Sequence, residues 1–264
     1  MRLIDTHTHI YDEAFDTDRD ETIARAKVAG VGPMMCPAID SGSHERLLRV
    51  CAEYSGYCLP MMGLHPTSVN DNPDYLAELA LVERYLENPP VEKFYAVGEV
   101  GLDLYWSKDW LGRQEEVFGK QIELSLRYAL PLVIHTRDAW LQMRAMLGRF
   151  SGKGVRGVMH SFSGTLDDYY AIKEYGDFLF GIGGPVTYKK SALPEMLELI
   201  PLSDILLETD SPYLPPVPYR GKRNESGYLT YICNKVAEIK GLRPEEVAAV
   251  TTANAVKMFG LNFG

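Results

Sequence analysis

The chain alternates short apolar runs with amphipathic segments, and the alternation repeats eight times. The amphipathic segments, such as residues 113–129 and 191–201, place apolar residues at helical spacing. Eight strand–helix units in 264 residues predict a parallel sheet closed into a (β/α)8 TIM barrel. No linker divides the chain, so we expect one α/β domain over residues 1–264, with residues 243–260 as a covering helix. The apolar runs lie at residues 2–5, 31–38, 57–66, 94–103, 130–136, 155–161, 178–184 and 204–212.

Residue types that bind metals stand at the C-terminal ends of these runs. Barrel enzymes carry their chemistry at this end of the strands, so we expect the side chains to meet at one mouth. Of the six histidines only His44 lies elsewhere, in a predicted helix. The residues at the strand ends are His7, His9, His65, Glu99, His135, His160 and Asp210.

Each of these features has an ordinary explanation when it is taken alone. Polar residues alternate on many strands, a single strand-end histidine is often hydrogen-bonded in the core, and Asp210 can cap a turn. The period of two along a strand nevertheless points His7 and His9 to one face, where neutral imidazoles can share a divalent ion. A carboxylate such as Glu99 at the end of an apolar strand is costly to bury without a cation. Together, five strand ends that carry ligand types predict a metal site.

The number of candidate ligands favours two ions over one. Six side chains exceed the three protein ligands of a usual catalytic zinc. A carboxylate can bridge two ions, and Glu99, midway around the predicted ring, is the natural bridge. We therefore expect two divalent metal ions, with the choice among Zn²⁺, Mg²⁺ and Mn²⁺ left open. One ion would take His7, His9 and Asp210, and the other would take His135 and His160.

Composition restricts the classes of function. The net charge of −9 argues against binding polyanions over the whole surface, although it leaves room for a small basic site. No apolar run approaches the roughly 20 residues of a membrane span, and no signal peptide is visible, so we expect a cytoplasmic protein. The four cysteines show no CxxC pairing and are expected to be buried reduced thiols.

Eight motifs follow one another along the chain: "DTHTHI", "GLHP", "GEVGLD", "PLVIHTRDA", "MHSFSGT", "LLETDSPYL", "RGKRNE" and "TTANAVKMFGL". In these motifs, the sequence closely resembles the TatD family of metal-dependent deoxyribonucleases, within the amidohydrolase superfamily, from residue 3 to about residue 261. The resemblance implies a TIM barrel, a two-metal centre and nuclease activity. It assigns the same six ligands in the same two groups, with Glu99 as the bridge.

The expected reaction is hydrolysis of a phosphodiester bond by a metal-bound hydroxide. Asp210, beside one metal and the water, is the expected general base. His65 is assigned to substrate contact or to protonation of the leaving group, with a structural role as the alternative. Asp5 shares the face of His7 and His9 by alternation and is a candidate to support one of them.

Phosphate recognition is expected from the segment "YRGKRNE", residues 219–225. Arg220, Lys222 and Arg223 place three positive charges in an acidic protein, although an ordinary solvated loop has the same composition. Arg137 is a weaker candidate for substrate contact, and Tyr213 is expected either to stack on a terminal base or to lie in the core.

A short basic lip beside metals fits a strand end better than a long duplex. We therefore expect DNA as the substrate, exonuclease action on single-stranded ends, no membrane contact and no stable protein partner. The first alternative is a hydrolase of C–N or ester bonds, including a D-aminoacyl-tRNA deacylase. The second alternative is a metal-binding scaffold without activity.

Overall fold

A computed structural model describes residues 2–262 of the protein. Within these residues eight strands alternate with helices, and two helices follow the last strand. The strands are β1 Leu3–Asp5, β2 Val31–Pro37, β3 Cys58–Met61, β4 Val97–Asp103, β5 Leu132–Arg137, β6 Arg156–Met159, β7 Asp177–Ile182 and β8 Ile205–Leu207. The helices are α1 Arg19–Val28, α2 Ser41–Glu53, α3 Tyr75–Glu87, α4 Leu111–Tyr128, α5 Trp140–Gly148, α6 Leu166–Tyr175, α7 Leu193–Leu199, α8 Leu229–Lys240 and α9 Pro244–Phe259.

The predicted α/β class with parallel strands is confirmed. Each predicted apolar run coincides with one strand, and His44 lies in α2. Five of the eight strands, β8 among them, end before the predicted run does. β1 ends two residues before His7, and β8 ends three residues before Asp210, so both of these candidate ligands lie on the loops that leave the strands.

The described chain divides into two compact units. The first unit comprises residues 2–36, 53–59 and 180–262. The second unit comprises residues 37–52 and 60–179. The single domain over residues 1–264 stays a prediction.

In the first unit, β1 lies between β2 and β8. It pairs in parallel with β2, and the Thr6 N–H beyond its end donates to the Leu207 carbonyl of β8 at 3.1 Å. β8 pairs in parallel with the end of β7. Because parallel strands run in one direction, the carboxyl ends of β1 and β8 lie at the same edge. The candidate ligands of this unit follow that edge.

The final helix, α9, holds the opposite edge of the same strands. It packs against β1 and β8. The Asn254 side chain donates to the carbonyls of Leu202 and Ile205 at 3.0 and 2.9 Å, and the Thr252 hydroxyl donates to the Arg2 carbonyl at 3.0 Å. Arg2 and Ile205 stand at the amino ends of the two strands, so α9 fixes their starts and leaves their carboxyl ends to the loops.

In the second unit, β4 pairs in parallel with β5, and β5 pairs in parallel with β6. All seven residues of β4 are buried, as expected for a parallel strand that is covered on both faces. The backbone N–H of Glu99 donates to the Ala38 carbonyl at 3.0 Å, which fixes the position of this residue within the strand.

A glycine permits the close approach of β4 to β5. Gly101 lies opposite His135 in the register of the two strands and has a φ of 136°. A Cβ atom at this position would overlap the carbonyl oxygen of His135. Gly101, the second glycine in "GEVGLD", is therefore required for the placement of His135.

Two predictions from composition concern the cysteines and membrane-spanning segments. The cysteines Cys36, Cys51, Cys58 and Cys233 are buried thiols, as expected. Among the described residues, no helix combines the length and apolar character that crossing a membrane requires.

We expect Gly101→Ala to destabilise the protein by more than about 1 kcal/mol, because the new methyl group meets backbone and the φ is unfavourable for alanine. Gly112→Ala is the matched control. Gly112 is exposed in α4 with open space around it, so alanine should stabilise the helix by about 0.5–1 kcal/mol. Urea unfolding of both variants measures the difference. Equal stability of the two variants would contradict this account of Gly101.

Candidate metal sites

The first unit brings together His7, His9 and Asp210, which we call the His7 cluster. Nε2 of His7 lies 3.3 Å from Nε2 of His9. Oδ1 of Asp210 lies 3.4 Å from Nε2 of His9 and 3.9 Å from Nε2 of His7. Both histidines are buried, whereas the Asp210 side chain keeps 16% of its surface exposed. The carboxylate is therefore the most exposed of the three side chains.

Backbone hydrogen bonds fix Asp210 in an unusual conformation. Its φ of 58° lies in the left-handed region that few residues other than glycine adopt. Its N–H donates to the His7 carbonyl at 2.9 Å, and its carbonyl accepts from the Tyr213 N–H at 2.8 Å. Strained conformations of this kind persist where the surroundings hold them and are concentrated at functional sites.

Asp5 supports the same cluster through hydrogen bonds to the main chain. Its carboxylate accepts hydrogen bonds from the Thr209 N–H at 2.9 Å, the Thr209 hydroxyl at 2.6 Å and the His7 N–H at 3.4 Å. Burial raises the pKa of Asp5 to about 7, although hydrogen bonds from Ser226 and Thr209 oppose the shift. Asp5 thus joins the end of β1 to the segment after β8, and it supports His7 through the backbone.

The second unit brings together a second set, which we call the Glu99 cluster. Glu99 is 3% exposed and stands at its centre. Its Oε1 lies 3.1 Å from Nδ1 of His135, 3.5 Å from Nε2 of His65 and 3.8 Å from Nε2 of His160. The ligand atoms of His65, Glu99 and His135 all lie within 4.8 Å of one another. The structure thus places His65 among the candidate ligands, a position that the sequence analysis did not give it.

Asp103 holds the far side of His135. Its Oδ2 lies 2.8 Å from Nε2 of His135, so both ring nitrogens of this histidine face carboxylates. Burial alone would lower the pKa of His135, but the hydrogen bonds to Asp103 and Glu99 outweigh burial and raise the pKa. A carboxylate behind a metal-binding histidine fixes the ring and increases its basicity.

His65 differs from His135 in its electrostatics. Burial lowers the pKa of His65, and the nearby Glu99 carboxylate only partly opposes this effect. Its Nδ1 lies 2.6 Å from the Thr67 hydroxyl oxygen, which leaves Nε2 directed toward Glu99. A neutral imidazole in this orientation suits a ligand better than a proton donor.

Both clusters have the chemistry of a divalent metal site. Imidazole nitrogens and carboxylate oxygens are the donors that bind Zn²⁺, and tetrahedral ligands at about 2.0–2.1 Å lie roughly 3.3 Å apart. Two of the three separations within the His7 cluster, 3.3 and 3.4 Å, agree with this spacing, and the third, 3.9 Å between His7 and Asp210, is wider. The residues therefore fit the metal that the sequence predicts, with His7, His9 and Asp210 as one donor set and His65, Glu99, His135 and His160 as the other.

The "RGKRNE" segment is held in place by ion pairs within the first unit. Arg223 donates to both carboxylate oxygens of Asp18 at 2.7 Å, and this contact lowers the pKa of Asp18 to about 2. Arg25 donates to Glu225 at 2.6 Å. The Asn224 side chain is buried and donates to the carbonyl of Tyr213 at 2.6 Å. Three residues of the motif therefore have structural partners.

Arg220 lines a concave surface in the first unit, which encloses a volume of about 410 Å³. Lys189 and Lys190 also line it, and the Arg220 guanidinium lies over the Tyr188 ring at 4.1 Å from the ring centre. Arg220 follows β8, and the lysines follow β7, so they emerge at the carboxyl edge of these strands. This arrangement concentrates positive charge on one side of the unit.

The remaining candidates for substrate contact are exposed. Lys222 is exposed beside Arg220. Tyr213 is 54% exposed and lies edge-on to His9, at 5.9 Å between ring centres, so it is not a core residue. Arg137 is exposed at the end of β5, and its guanidinium lies over the Tyr105 ring. Substrate contact by Lys222, Tyr213 and Arg137 therefore stays a prediction.

Sequence reasoning missed Asp103 and the pair Lys189–Lys190. Asp103 stands four residues after Glu99, at the end of β4. That spacing, and its place at the end of an apolar run, were signals that could have found it. The two lysines stand after β7, a strand end without a metal-binding residue, and only the fold brings them beside Arg220.

A family profile described as TatD related DNase matches residues 4–260 of the chain. The chain belongs to the TatD family of metal-dependent hydrolases. The predicted resemblance is therefore confirmed over almost the whole sequence.

Three relatives illustrate the likeness to TatD proteins. The chain is 36% identical over 261 residues to the uncharacterized metal-dependent hydrolase YabD of Bacillus subtilis, covering 98% of this chain and 100% of YabD. It is 31% identical over 265 residues to the 3′-5′ ssDNA/RNA exonuclease TatD of Citrobacter rodentium, covering 98% of each. The crystal structure of YjjV, a TatD homologue of Escherichia coli K12, matches with a TM-score of 0.90 at 30% identity over 99% of each chain. This last match confirms the predicted TatD-family fold.

We expect Asp103→Asn to weaken metal binding at the Glu99 cluster by about 10- to 100-fold, because the amide no longer fixes and polarises His135. Titration of metal-stripped protein with Zn²⁺ against a chelator measures the affinity. Asp109→Asn, an exposed change in the loop that follows β4, is the control and should bind as the parent does. Unchanged affinity in Asp103→Asn would contradict the role given to Asp103.

We expect Arg223→Ala to lower the melting temperature at pH 7, whereas Lys222→Ala should leave it unchanged, because Arg223 pairs with Asp18 and Lys222 does not. The effect should be worth about 1 kcal/mol. The pKa of Asp18 is depressed in the folded state, so its stabilising contribution is present above the ordinary value of 3.8 and is lost as pH falls toward 2. The difference between Arg223→Ala and the parent should therefore shrink between pH 4 and pH 2 in thermal melts. A difference that is constant over this range would contradict the ion pair.

Proposed function

We propose that this TatD-family hydrolase cleaves phosphodiester bonds of DNA, as an exonuclease on single-stranded ends. The observation that carries the proposal is the basic concave surface of Arg220, Lys189 and Lys190, which shares its unit with the His7 cluster. A substrate with a phosphate group fits this surface better than a neutral amide does. The 3′-5′ ssDNA/RNA exonuclease TatD of Citrobacter rodentium, at 31% identity, supports the same substrate class.

We further propose that divalent ions occupy both clusters, two ions in all. His7, His9 and Asp210 would hold one ion, and Glu99, His135 and His160, now with His65, would hold the other. Bound divalent ions lower the pKa of water and polarise phosphate oxygens. Glu99 as a bridge and the identity of the metal among Zn²⁺, Mg²⁺ and Mn²⁺ stay predictions.

The side chains around the clusters divide the remaining work. Asp210 is the only partly exposed member of the His7 cluster, so its carboxylate is the group that can accept a proton from the attacking water. His65, with its lowered pKa, is better suited to hold an ion or the substrate than to protonate the leaving group.

Arg220 and Lys222 would position the substrate through its phosphates, together with Lys189 and Lys190. Arginine binds phosphate oxygens in a bidentate manner, and lysine acts as a point charge. Arg223 already makes such a bidentate contact with Asp18, so its part in phosphate binding is indirect. Tyr213, exposed beside His9, is placed to stack on a base close to the His7 cluster.

The proposed function is tested on metal-stripped protein, with Zn²⁺, Mg²⁺ or Mn²⁺ restored one at a time. The substrates are 3′-labelled single-stranded DNA, the same DNA as a duplex, RNA, a D-aminoacyl-tRNA and a panel of cyclic amides. Progressive shortening of single-stranded DNA that requires an added ion would support the proposal. Turnover of only the aminoacyl ester or the amides would overturn the nuclease assignment and establish the amidohydrolase alternative.

We expect Asp210→Asn to lower kcat on single-stranded DNA by at least about 100-fold, because the amide cannot accept the proton. The Glu99 cluster is intact in this variant and should still bind an ion, which a metal analysis of the purified protein checks. The parent protein, assayed in the same preparation and with the same ion, is the control. An undiminished rate would contradict the role given to Asp210.

A further inference from the structure

Two large aromatic side chains are exposed immediately after β4. Tyr105 is 52% exposed and Trp106 is 70% exposed, although they follow a strand whose residues are all buried. Exposed aromatic pairs of this size are unusual on a protein surface because each ring leaves a large apolar area in water. The exposed pair therefore indicates a ligand-binding surface.

Hydrogen bonding and ring contacts hold the pair in a fixed geometry. The rings of Tyr105 and Trp106 meet edge to face, with centres 5.0 Å apart and planes at 87°. The Arg137 guanidinium lies 3.5 Å from the centre of the Tyr105 ring and 5.9 Å from that of Trp106. We call these three residues the aromatic platform. Arg137 occupies one face of Tyr105, which leaves the more exposed indole ring of Trp106 for a ligand.

The aromatic platform is joined directly to the Glu99 cluster through Asp103. One carboxylate oxygen of Asp103 accepts from the Tyr105 N–H at 3.0 Å, and the other lies 2.8 Å from Nε2 of His135. Arg137 ends β5 two residues after His135, and its carbonyl accepts from the Leu104 N–H at 2.9 Å. A ligand on the platform would therefore lie beside the cluster that holds His135.

We propose that the aromatic platform stacks an unpaired nucleobase of a single-stranded nucleic acid, with Trp106 as the stacking surface and Arg137 as the contact for the neighbouring phosphate. This inference rests on the proposed function and names its substrate class. Every base has a π-face, so stacking on an aromatic ring tolerates any sequence, and a guanidinium beside the ring adds attraction for phosphate. The bases within a duplex are already stacked on one another, so an unpaired base offers this face more readily than a base inside a duplex does.

Binding and cleavage are measured separately on the full-length protein with its divalent ion. Fluorescence anisotropy with phosphorothioate single-stranded DNA gives the affinity, and unmodified DNA gives kcat and KM. A second oligonucleotide has the same phosphates but lacks the bases at its 3′ end. The variants are Trp106→Ala, the conservative Trp106→Phe and the control Leu141→Ala. Leu141 is 69% exposed in α5 of the same unit, so it matches Trp106 in exposure.

Trp106→Ala should bind ordinary single-stranded DNA between about fivefold and about a hundredfold more weakly than the parent. Trp106→Phe should recover most of the loss, and Leu141→Ala should bind as the parent does. All four proteins should bind the oligonucleotide without terminal bases with the same, weaker affinity. In cleavage assays, the change should appear in KM more than in kcat.

Equal affinity of the parent and Trp106→Ala for ordinary DNA would overturn the inference and leave the aromatic platform as a protein-contact surface. A loss in Trp106→Ala that is equally large on the oligonucleotide without terminal bases would also overturn it, because stacking would not be the cause. Selective binding without any cleavage would overturn the proposed exonuclease activity and leave the aromatic platform supported.

Discussion

Parallel pairing of neighbouring strands is the constraint on which both clusters depend. Parallel strands end at the same edge, so residues just beyond their ends meet over short distances. In the first unit, this pairing places the His7 carbonyl within reach of the Asp210 N–H at 2.9 Å. In the second unit, it places Gly101 against His135. Contacts of the main chain therefore hold these candidate ligands in position independently of the contacts between their side chains.

Burial then determines what these side chains can do. Glu99 is almost fully buried, and a buried carboxylate is stable only with charge or hydrogen-bond donors around it. His135 lies between Glu99 and Asp103, and its pKa is raised. His65 lies at the same carboxylate with a lowered pKa. The pKa values of these two histidines are thus shifted in opposite directions, because only His135 has a second carboxylate hydrogen-bonded to its ring.

The sequence identified the strand ends, and with them the residues of both clusters. Period-two alternation identified His7 and His9, and single residues after apolar runs identified Glu99, His135 and His160. Local patterns could not identify contacts between distant segments. Arg223 reads as a free positive charge in its own motif, yet its partner Asp18 is separated from it by 205 positions along the chain. Asp103 reads as the end of a strand, and only the folded structure shows that its carboxylate contacts the His135 ring.

The ion pair between Arg223 and Asp18 has a consequence for ligand affinity. It removes one positive charge from the "RGKRNE" segment but restricts the motion of the chain that carries Arg220 and Lys222. An ordered loop loses less conformational entropy when an anion binds, so preorganisation raises affinity without any added contact. In the proposed phosphate-binding role of Arg220 and Lys222, a charge that never touches the ligand would thus increase the strength with which its neighbours hold it.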